Sequence, residues 1–338
     1  MKKVLVTGAA GAIGINVIKY LLSEGKYEIT AIDLPNNNSY KALKKYRKRV
    51  NVIFADLTNS VITDGLVKDQ DYVIHLASIS PVMGNVKKEL CDLVDYKMTE
   101  NIVRAITFYN TECHLLFSST TTLYKSNLKE VSSSDKVSPL KEDYYSQYKL
   151  KCENLITKNL TNYTIFRLPM VLTNPKNVSF VFNGVDDEVI ETISDIDASY
   201  AFVKALEVTS KLNKKIYNLA GGVNCQIKYR ELISKILYVY GISFKYISNK
   251  IFVNKNYHGF IYKDSDDLNN ILKFRNDGIS SYLMRLKRQS KKRIISKILV
   301  KPILFVRNMK KWLVLHSKAE EQEDPIKLVL TWLLNIVI

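Results

Sequence analysis

A phenol and an ammonium four residues apart on one helix face can serve proton transfer. The spacing Tyr-x-x-x-Lys occurs four times in this chain, at Tyr40/Lys44, Tyr145/Lys149, Tyr200/Lys204 and Tyr246/Lys250. With 21 tyrosines present, most of these are coincidences of composition. Only Tyr145/Lys149 has context. It opens a helical pattern 25 residues after Thr120, which closes the run Phe117-Ser118-Ser119-Thr120 at the end of an apolar strand. In an open α/β sheet, ligands bind beyond the carboxyl ends of strands, so Thr120 would offer its hydroxyl there.

A second constellation sits near the start. Thr7-Gly8-Ala9-Ala10-Gly11-Ala12-Ile13-Gly14 separates a short apolar strand from a helical pattern. Gly8 permits a tight turn, Gly11 lets backbone N–H groups approach a pyrophosphate, and Gly14 allows close helix–strand packing. The helix beginning at Ala12 and Ile13 adds the partial positive charge of its N-terminus. The spacing is GxxGxxG, and its weight comes from the strand before, the helix after, and Asp33 ending the next strand. Asp33 would accept hydrogen bonds from ribose hydroxyls. It would repel a 2′-phosphate, and no arginine immediately follows. The expected cofactor is therefore NAD rather than NADP.

These residues need elements to position them. Short strands at 3–7, 28–33, 52–56, 72–76, 114–118 and 163–167 alternate with helical patterns, including 93–108 and 144–158. That alternation predicts an α/β fold, a Rossmann-type doubly wound parallel sheet. Beyond 168 the alternation weakens, with helices expected at 195–210 and 227–240 and a strand at 215–219. The expected organisation is a Rossmann domain over 1–167, a substrate-binding region interleaved with it over 168–284, and a helical tail over 285–338.

Several further segments match a known family: Phe54-Ala55-Asp56-Leu57, His75-Leu76-Ala77-Ser78, Phe117 to Tyr124, Tyr145 to Glu153, Arg167-Leu168-Pro169 and Tyr217 to Gly222. With the glycine turn and Asp33, these resemble the extended short-chain dehydrogenase/reductases, of the NAD-dependent epimerase/dehydratase type acting on nucleotide sugars. The resemblance covers roughly 1–280. It implies that Tyr145 shuttles the proton of a substrate hydroxyl while NAD takes a hydride. A free tyrosine has a pKa of about 10, so Lys149 and the oxidised nicotinamide would have to stabilise the phenolate. Lys149 would also bind the nicotinamide ribose, and Thr120 would hold the substrate oxygen. Asp56 and Leu57 would contact adenine, and Ala77 would line the cofactor groove. No metal is implied.

The departures narrow the reaction. Family dehydratases carry Asp-Glu after the catalytic threonine, where this chain has Thr121-Thr122. Dehydration would lack its acid and base. Met170 stands where the family's epimerases often have an asparagine that seats the nucleotide sugar. The span from Arg167 to Asp195 is short for the family, so the substrate half looks trimmed. Epimerase and keto-reductase stay open, beside a reductase of a non-nucleotide carbonyl substrate and a non-catalytic NAD-binding scaffold.

Charge sets the tail apart. The 338 residues carry 50 Lys+Arg and 33 Asp+Glu, a net +17. Residues 285–318 hold twelve Lys/Arg and no acid, and 319–338 hold one Lys and four acids. Over half of the excess, +9, therefore lies in the tail. Ile294, Ile295, Ile298 and Leu299 cluster at helical spacing behind Lys291-Lys292-Arg293, with Trp312 further on. Basic amphipathic segments of this kind suit an anionic membrane surface, at about 1 kcal/mol per basic residue. The alternatives are packing of the apolar faces on the body or in a homodimer. Nucleic acid fits less well, because aliphatic residues rather than stacking aromatics interleave the charges. No apolar run reaches the ~20 residues of a spanning helix. Met1-Lys2-Lys3 leads into a strand rather than a signal peptide, and the scattered Cys91, Cys113, Cys152 and Cys225 suit a reducing compartment. The expected location is cytoplasmic, peripheral on the inner membrane face.

Overall fold

The structure is a computed structural model that describes residues 1–79, 81, 88–125, 128–174, 188–240 and 259–297, the last seven of these as backbone. Seven strands form one sheet: β1 (Lys2–Thr7), β2 (Tyr27–Asp33), β3 (Asn51–Phe54), β4 (Tyr72–His75), β5 (His114–Thr120), β6 (Tyr163–Leu168) and β7 (Lys215–Asn218). Their order is β7-β6-β5-β4-β1-β2-β3, and every pairing is parallel. The strand direction in which the chain winds reverses between β1 and β4, which leaves a crevice at their carboxyl ends. Thr7, Asp33, His75 and Thr120 each close a strand at that edge.

The elements follow from side-chain type. The strands are Val/Ile/Leu-rich runs buried on both faces, as a sheet covered twice requires. Helix α1 (Ala12–Glu24) starts at Gly11 with no side-chain cap and ends at Gly25, whose φ of 67° lets its N–H close on the Leu21 carbonyl. Elsewhere side chains do the capping. Asn36 and Asn59 each accept two backbone N–H groups at their helix starts, a device that contributes about 1 kcal/mol. On one face of the sheet, α1 packs against α4, whose range is Asp195–Ala205. Asn16 Nδ2 donates to Asp195 Oδ2 at 3.1 Å, Ser199 Oγ donates to the Ile13 carbonyl at 3.0 Å, and Tyr20 meets Tyr200 edge to face. The other face carries α2 (Met98–Tyr109) and α3 (Tyr144–Asn159). Leu115, Phe117, Cys152, Ile156 and Ile165 share their core cluster.

Two findings differ from the sequence pattern. The helix expected at 93–108 begins as a π-helical segment, Cys91–Lys97, and only then becomes α2. The chain also divides into two compact units along other boundaries than charge suggests. One comprises Met1–Thr173, Glu191–Gln226 and Phe260–Gly278, and the other Asn174–Ile190, Ile227–Gly259 and Ile279–Ile338. In the second unit, α5 (Tyr229–Val239) packs against α6 (Ile279–Lys297). Helix α6 runs straight through residue 285, where the charge pattern starts the tail. Ile279, Tyr282, Leu286 and Ser290 form a buried stripe at helical spacing, and Ser290 Oγ reaches the Val239 carbonyl. The remaining tail, 298–338, lies outside the described residues. Among the described residues no helix is long and apolar enough to cross a membrane. All four cysteines are buried and unbridged.

Two histidines lie within the sheet. His75 places Nδ1 2.7 Å from Thr7 Oγ1 and Nε2 3.1 Å from Thr99 Oγ1. His114 places Nε2 2.9 Å from Thr164 Oγ1. Burial lowers the His75 pKa to about 3, helped by the Lys149 charge, and burial lowers that of His114 to about 4. Both are neutral in the fold and bind protons more readily once unfolded, so stability falls as pH drops below about 6.5. We predict that His114→Gln removes about 2 kcal/mol of the stability difference between pH 7.5 and pH 5. Urea unfolding at the two pH values measures it. An unchanged difference would contradict a neutral buried His114.

Candidate active site

The glycine turn has the geometry that the spacing predicts. Gly8 adopts φ +64°, and a Cβ there would lie 2.7 Å from the Ala77 backbone nitrogen. A Cβ on Gly14 would collide with the Gly8 carbonyl. Gly11 and Ala12 are exposed at the start of α1, whose N–H groups meet no capping side chain, and Ile13 is half-buried behind them. Asp33 is fixed beside the turn. Its Oδ2 accepts from the Ala10 N–H at 2.8 Å, and its Oδ1 accepts from Ser39 Oγ at 2.8 Å and the Leu34 N–H at 2.9 Å. Thr7 Oγ1 accepts from the Leu76 and Ala77 N–H groups at 3.1 Å, which ties the turn to the end of β4. A cradle without side chains, an uncapped helix start and an oriented carboxylate fit a dinucleotide.

The other predicted cofactor residues divide. Asp56 is exposed beyond β3 and accepts from the Thr58 N–H. Ala77 lies half-buried beside Gly8. Leu57 is different, since its side chain is buried in the core cluster and its carbonyl accepts from Thr63 and Asn101. Its apolar side chain serves the core.

Thr120, Tyr145 and Lys149 are all buried where β5 meets the first turns of α3. Lys149 Nζ donates to the Ser118 carbonyl at 3.0 Å, so the β5 backbone holds the ammonium. Thr120 Oγ1 lies 2.9 Å from Thr122 Oγ1, which lies 2.5 Å from Ser146 Oγ. Ser146 Oγ donates to Asp143 Oδ2 at 2.5 Å, and Asp143 caps α3 by accepting the Ser146 N–H. A hydroxyl chain thus joins Thr120 to the residue beside Tyr145. Of the other Tyr-x-x-x-Lys pairs, Tyr40 is exposed, Lys204 pairs with Glu24 and Glu207, and Tyr246/Lys250 lie outside the described residues.

Burial pushes the Tyr145 pKa well above the usual tyrosine value, and the Asp95 carboxylate adds to the rise, which is what the Lys149 ammonium and an oxidised nicotinamide would have to offset. Asp95 sits in the π-helical segment, with Oδ1 3.8 Å from Lys149 Nζ, and both residues are buried. The ammonium shares its charge with an acid that the sequence reading did not single out. The signal was there, because Asp95 heads the stripe Asp95, Met98, Thr99, Ile102 and Ile106, all buried. An acid on an otherwise core-facing stripe marks a buried charge.

A second buried pair braces the site. Glu153 on α3 accepts from Arg167 Nε at 3.0 Å, from Arg167 Nη2 at 2.7 Å and from Ser119 Oγ at 2.5 Å. Arg167 Nη1 also donates to the Tyr124 hydroxyl, which donates to Asn218 Oδ1. This network ties β5, β6, β7 and α3 together.

A Rossmann sheet with this glycine turn, a ribose-type aspartate and a Tyr/Lys pair on the helix after β5 defines a dinucleotide-dependent α/β enzyme scaffold. Residues 4–193 match the NAD dependent epimerase/dehydratase family, and the chain belongs to that family. It is 24% identical over 318 residues to the bifunctional polymyxin resistance protein ArnA of Wigglesworthia glossinidia brevipalpis, a match covering 79% of this chain. The chain spans less than half of that relative's length, 46%. It is 27% identical over 241 residues to GDP-6-deoxy-D-talose 4-dehydrogenase of Aggregatibacter actinomycetemcomitans, covering 70% of this chain and 71% of the relative. The fold superposes with a TM-score of 0.71 on UDP-glucuronic acid 4-epimerase of Bacillus cereus in complex with UDP-glucuronic acid and NAD. That structure is 21% identical, and the match covers 85% of this chain and 99% of that one.

Truncating one member of the Glu153–Arg167 pair should strand a buried charge. Glu153→Ala is expected to cost roughly 3–5 kcal/mol in urea unfolding. The double variant Glu153→Met/Arg167→Met should cost less than Glu153→Ala alone, because no buried charge is then left without a partner. A double variant as damaging as the sum of the single ones would contradict this.

Proposed function

We propose that this chain is an NAD-dependent nucleotide-sugar epimerase or keto-reductase that acts at a sugar carbinol. The observation that carries the reading is the buried Thr120–Tyr145–Lys149 set at the end of β5, on the same sheet edge as the glycine turn. NAD, when bound, supplies the hydride acceptor. Gly8, Gly11, Ala12, Ile13 and Gly14 would hold its pyrophosphate, Asp33 its adenosine ribose, Asp56 and Leu57 its adenine. Ala77 would line the groove, and Lys149 would take the nicotinamide ribose. Tyr145 takes and returns the proton of the substrate hydroxyl, and Thr120 holds the same oxygen. Relatives named for a nucleotide-sugar 4-dehydrogenase and 4-epimerase support this substrate class.

The site argues against sugar dehydration. Thr122 occupies the second position after Thr120, and its hydroxyl bridges Thr120 and Ser146. A hydroxyl chain there provides no carboxylate to remove a proton from carbon. The short span between Arg167 and Asp195 favours a second reading, reduction of a non-nucleotide carbonyl. An epimerase retains its NAD with no net consumption, whereas a reductase oxidises NADH stoichiometrically. Screening sugar nucleotides with analysis of bound cofactor separates the two. Tyr145→Phe should lower turnover by about 10²–10⁴-fold while NAD binding persists. Undiminished turnover would refute Tyr145 as the proton-transfer group, and absence of turnover in the wild type on any carbonyl or sugar nucleotide would favour a scaffold.

The pathway in this reading is surface polysaccharide synthesis, at the inner membrane face and in a homodimer. It rests on the family resemblance and on the basic tail. The buried stripe of α6 favours packing for residues up to Ser290, which leaves Lys291, Lys292, Arg293 and the residues beyond as the membrane-directed part. The full chain should sediment with vesicles containing phosphatidylserine, and replacing Lys291, Lys292 and Arg293 by Gln should weaken binding by about 3 kcal/mol at low salt. Equal binding to neutral vesicles would speak against an electrostatic anchor.

A further inference from the structure

The mechanism above leaves Asp95 without a role, although its carboxylate is paired with Lys149. Asp95 is 1% exposed, and its Oδ2 is buried with no hydrogen-bond partner among the described residues. Its Oδ1 accepts from Ser78 Oγ at 2.5 Å and lies 3.8 Å from Lys149 Nζ. Ser78 in turn shares a side-chain hydrogen bond with Tyr145. One carboxylate therefore faces both members of the Tyr145–Lys149 pair, directly at the ammonium and through a single hydroxyl at the phenol. The backbone reinforces the placement. The Asp95 carbonyl accepts from Thr99 Oγ1 at 2.6 Å and from Cys152 Sγ at 3.4 Å, which pins the π-helical turn to α3.

We propose that Asp95 is a positioning residue that sets the basicity of Tyr145: it neutralises the Lys149 ammonium and faces the phenol through Ser78. The proposal rests on reading Tyr145 as the proton-transfer group. The physical argument is charge balance at low dielectric. An ammonium alone beside a phenol favours the phenolate, and a carboxylate beside that ammonium cancels most of its field. Desolvation raises the Asp95 pKa and Lys149 pulls it back, as an acid sharing a buried pair should behave. Other groups around the pair are few. Strand β4 presents His75, held neutral by burial. The π-helical segment presents Cys91, whose thiol is pushed up to about 11. Helix α3 presents Cys152, also at about 11, Asp143, which repels a phenolate, and Glu153, whose charge Arg167 takes. Strand β5 presents the Phe117 ring and the Ser118 carbonyl, neither of which titrates. After burial itself, Asp95 does most to raise the Tyr145 pKa, ahead of Asp143.

The test is an NMR titration of the full-length chain labelled with ¹³Cζ-tyrosine, the Tyr145 resonance being the one lost in Tyr145→Phe. In Asp95→Asn, phenolate should appear at least about one pH unit lower than in the wild type, roughly a tenfold gain in the acidity of the phenol. Asp95→Glu, which keeps the charge, should stay near the wild type. Asp95→Ser is neutral and smaller, and it gives the same reading should Asp95→Asn fail to fold. If phenolate appears at the same pH in the wild type and the neutral variants, or in none of them below about pH 11, the proposal is overturned. A downward shift shared by Asp95→Glu would also overturn it, because packing rather than charge would then be responsible. The titration uses neither substrate nor cofactor. An inactive enzyme with a shifted Tyr145 would therefore refute the catalytic reading and leave the role of Asp95 standing.

Discussion

A lysine 2% exposed is the constraint around which this site is organised. An ammonium cannot be withdrawn from water without compensation, and the surroundings of Lys149 supply it in three ways. The Ser118 carbonyl accepts one of its protons, Asp95 balances its charge, and the Phe117 ring lies 4.9 Å from Nζ to its centroid. The same charge is felt further off, since it contributes to keeping His75 unprotonated. His75 is then free to bond Thr7 on one side and Thr99 on the other, which fixes the crevice between β1 and β4.

The parallel sheet makes such convergence possible. Strand ends that are distant in sequence arrive at one edge, and each brings one polar residue. Thr7, Asp33, His75 and Thr120 come from four strands, and Tyr145 and Lys149 from a helix laid across β5. The Glu153–Arg167 pair holds that helix to the sheet from behind. It leaves Thr120 and Tyr145 in place without using either. The departures at Thr121, Thr122 and Met170 fall outside the glycine turn, which keeps the family pattern.

Much of this was legible in the sequence. The seven strands, the glycine turn and the pairing of Tyr145 with Lys149 all appear as local patterns, because a buried parallel strand needs an apolar run and a phosphate turn needs glycine. What the sequence hid was set by long-range contacts. Asp95 stands on a core-facing stripe, which marks a buried charge, but its partner is legible only once the fold puts Lys149 opposite it. That the core takes the Leu57 side chain is likewise a property of the fold and not of the local pattern. The tail seemed to begin at 285 because charge changes there, but the buried stripe through Leu286 and Ser290 continues the α6 helix past that point. Charge density and backbone continuity are separate properties, and here they disagree.

The π-helical turn at Cys91–Lys97 has a consequence for how this site can change over time. A π turn holds one residue more than the α turn it replaces, so it is removed by deleting a single codon. Such a deletion would rotate the residues before it by about 100° relative to α2 and carry an acid placed there out of reach of Lys149. Tyr145 and Lys149 would not be substituted, and the glycine turn would be untouched. Two relatives with identical Tyr and Lys motifs could therefore differ in the pH at which they work, through a difference in length alone.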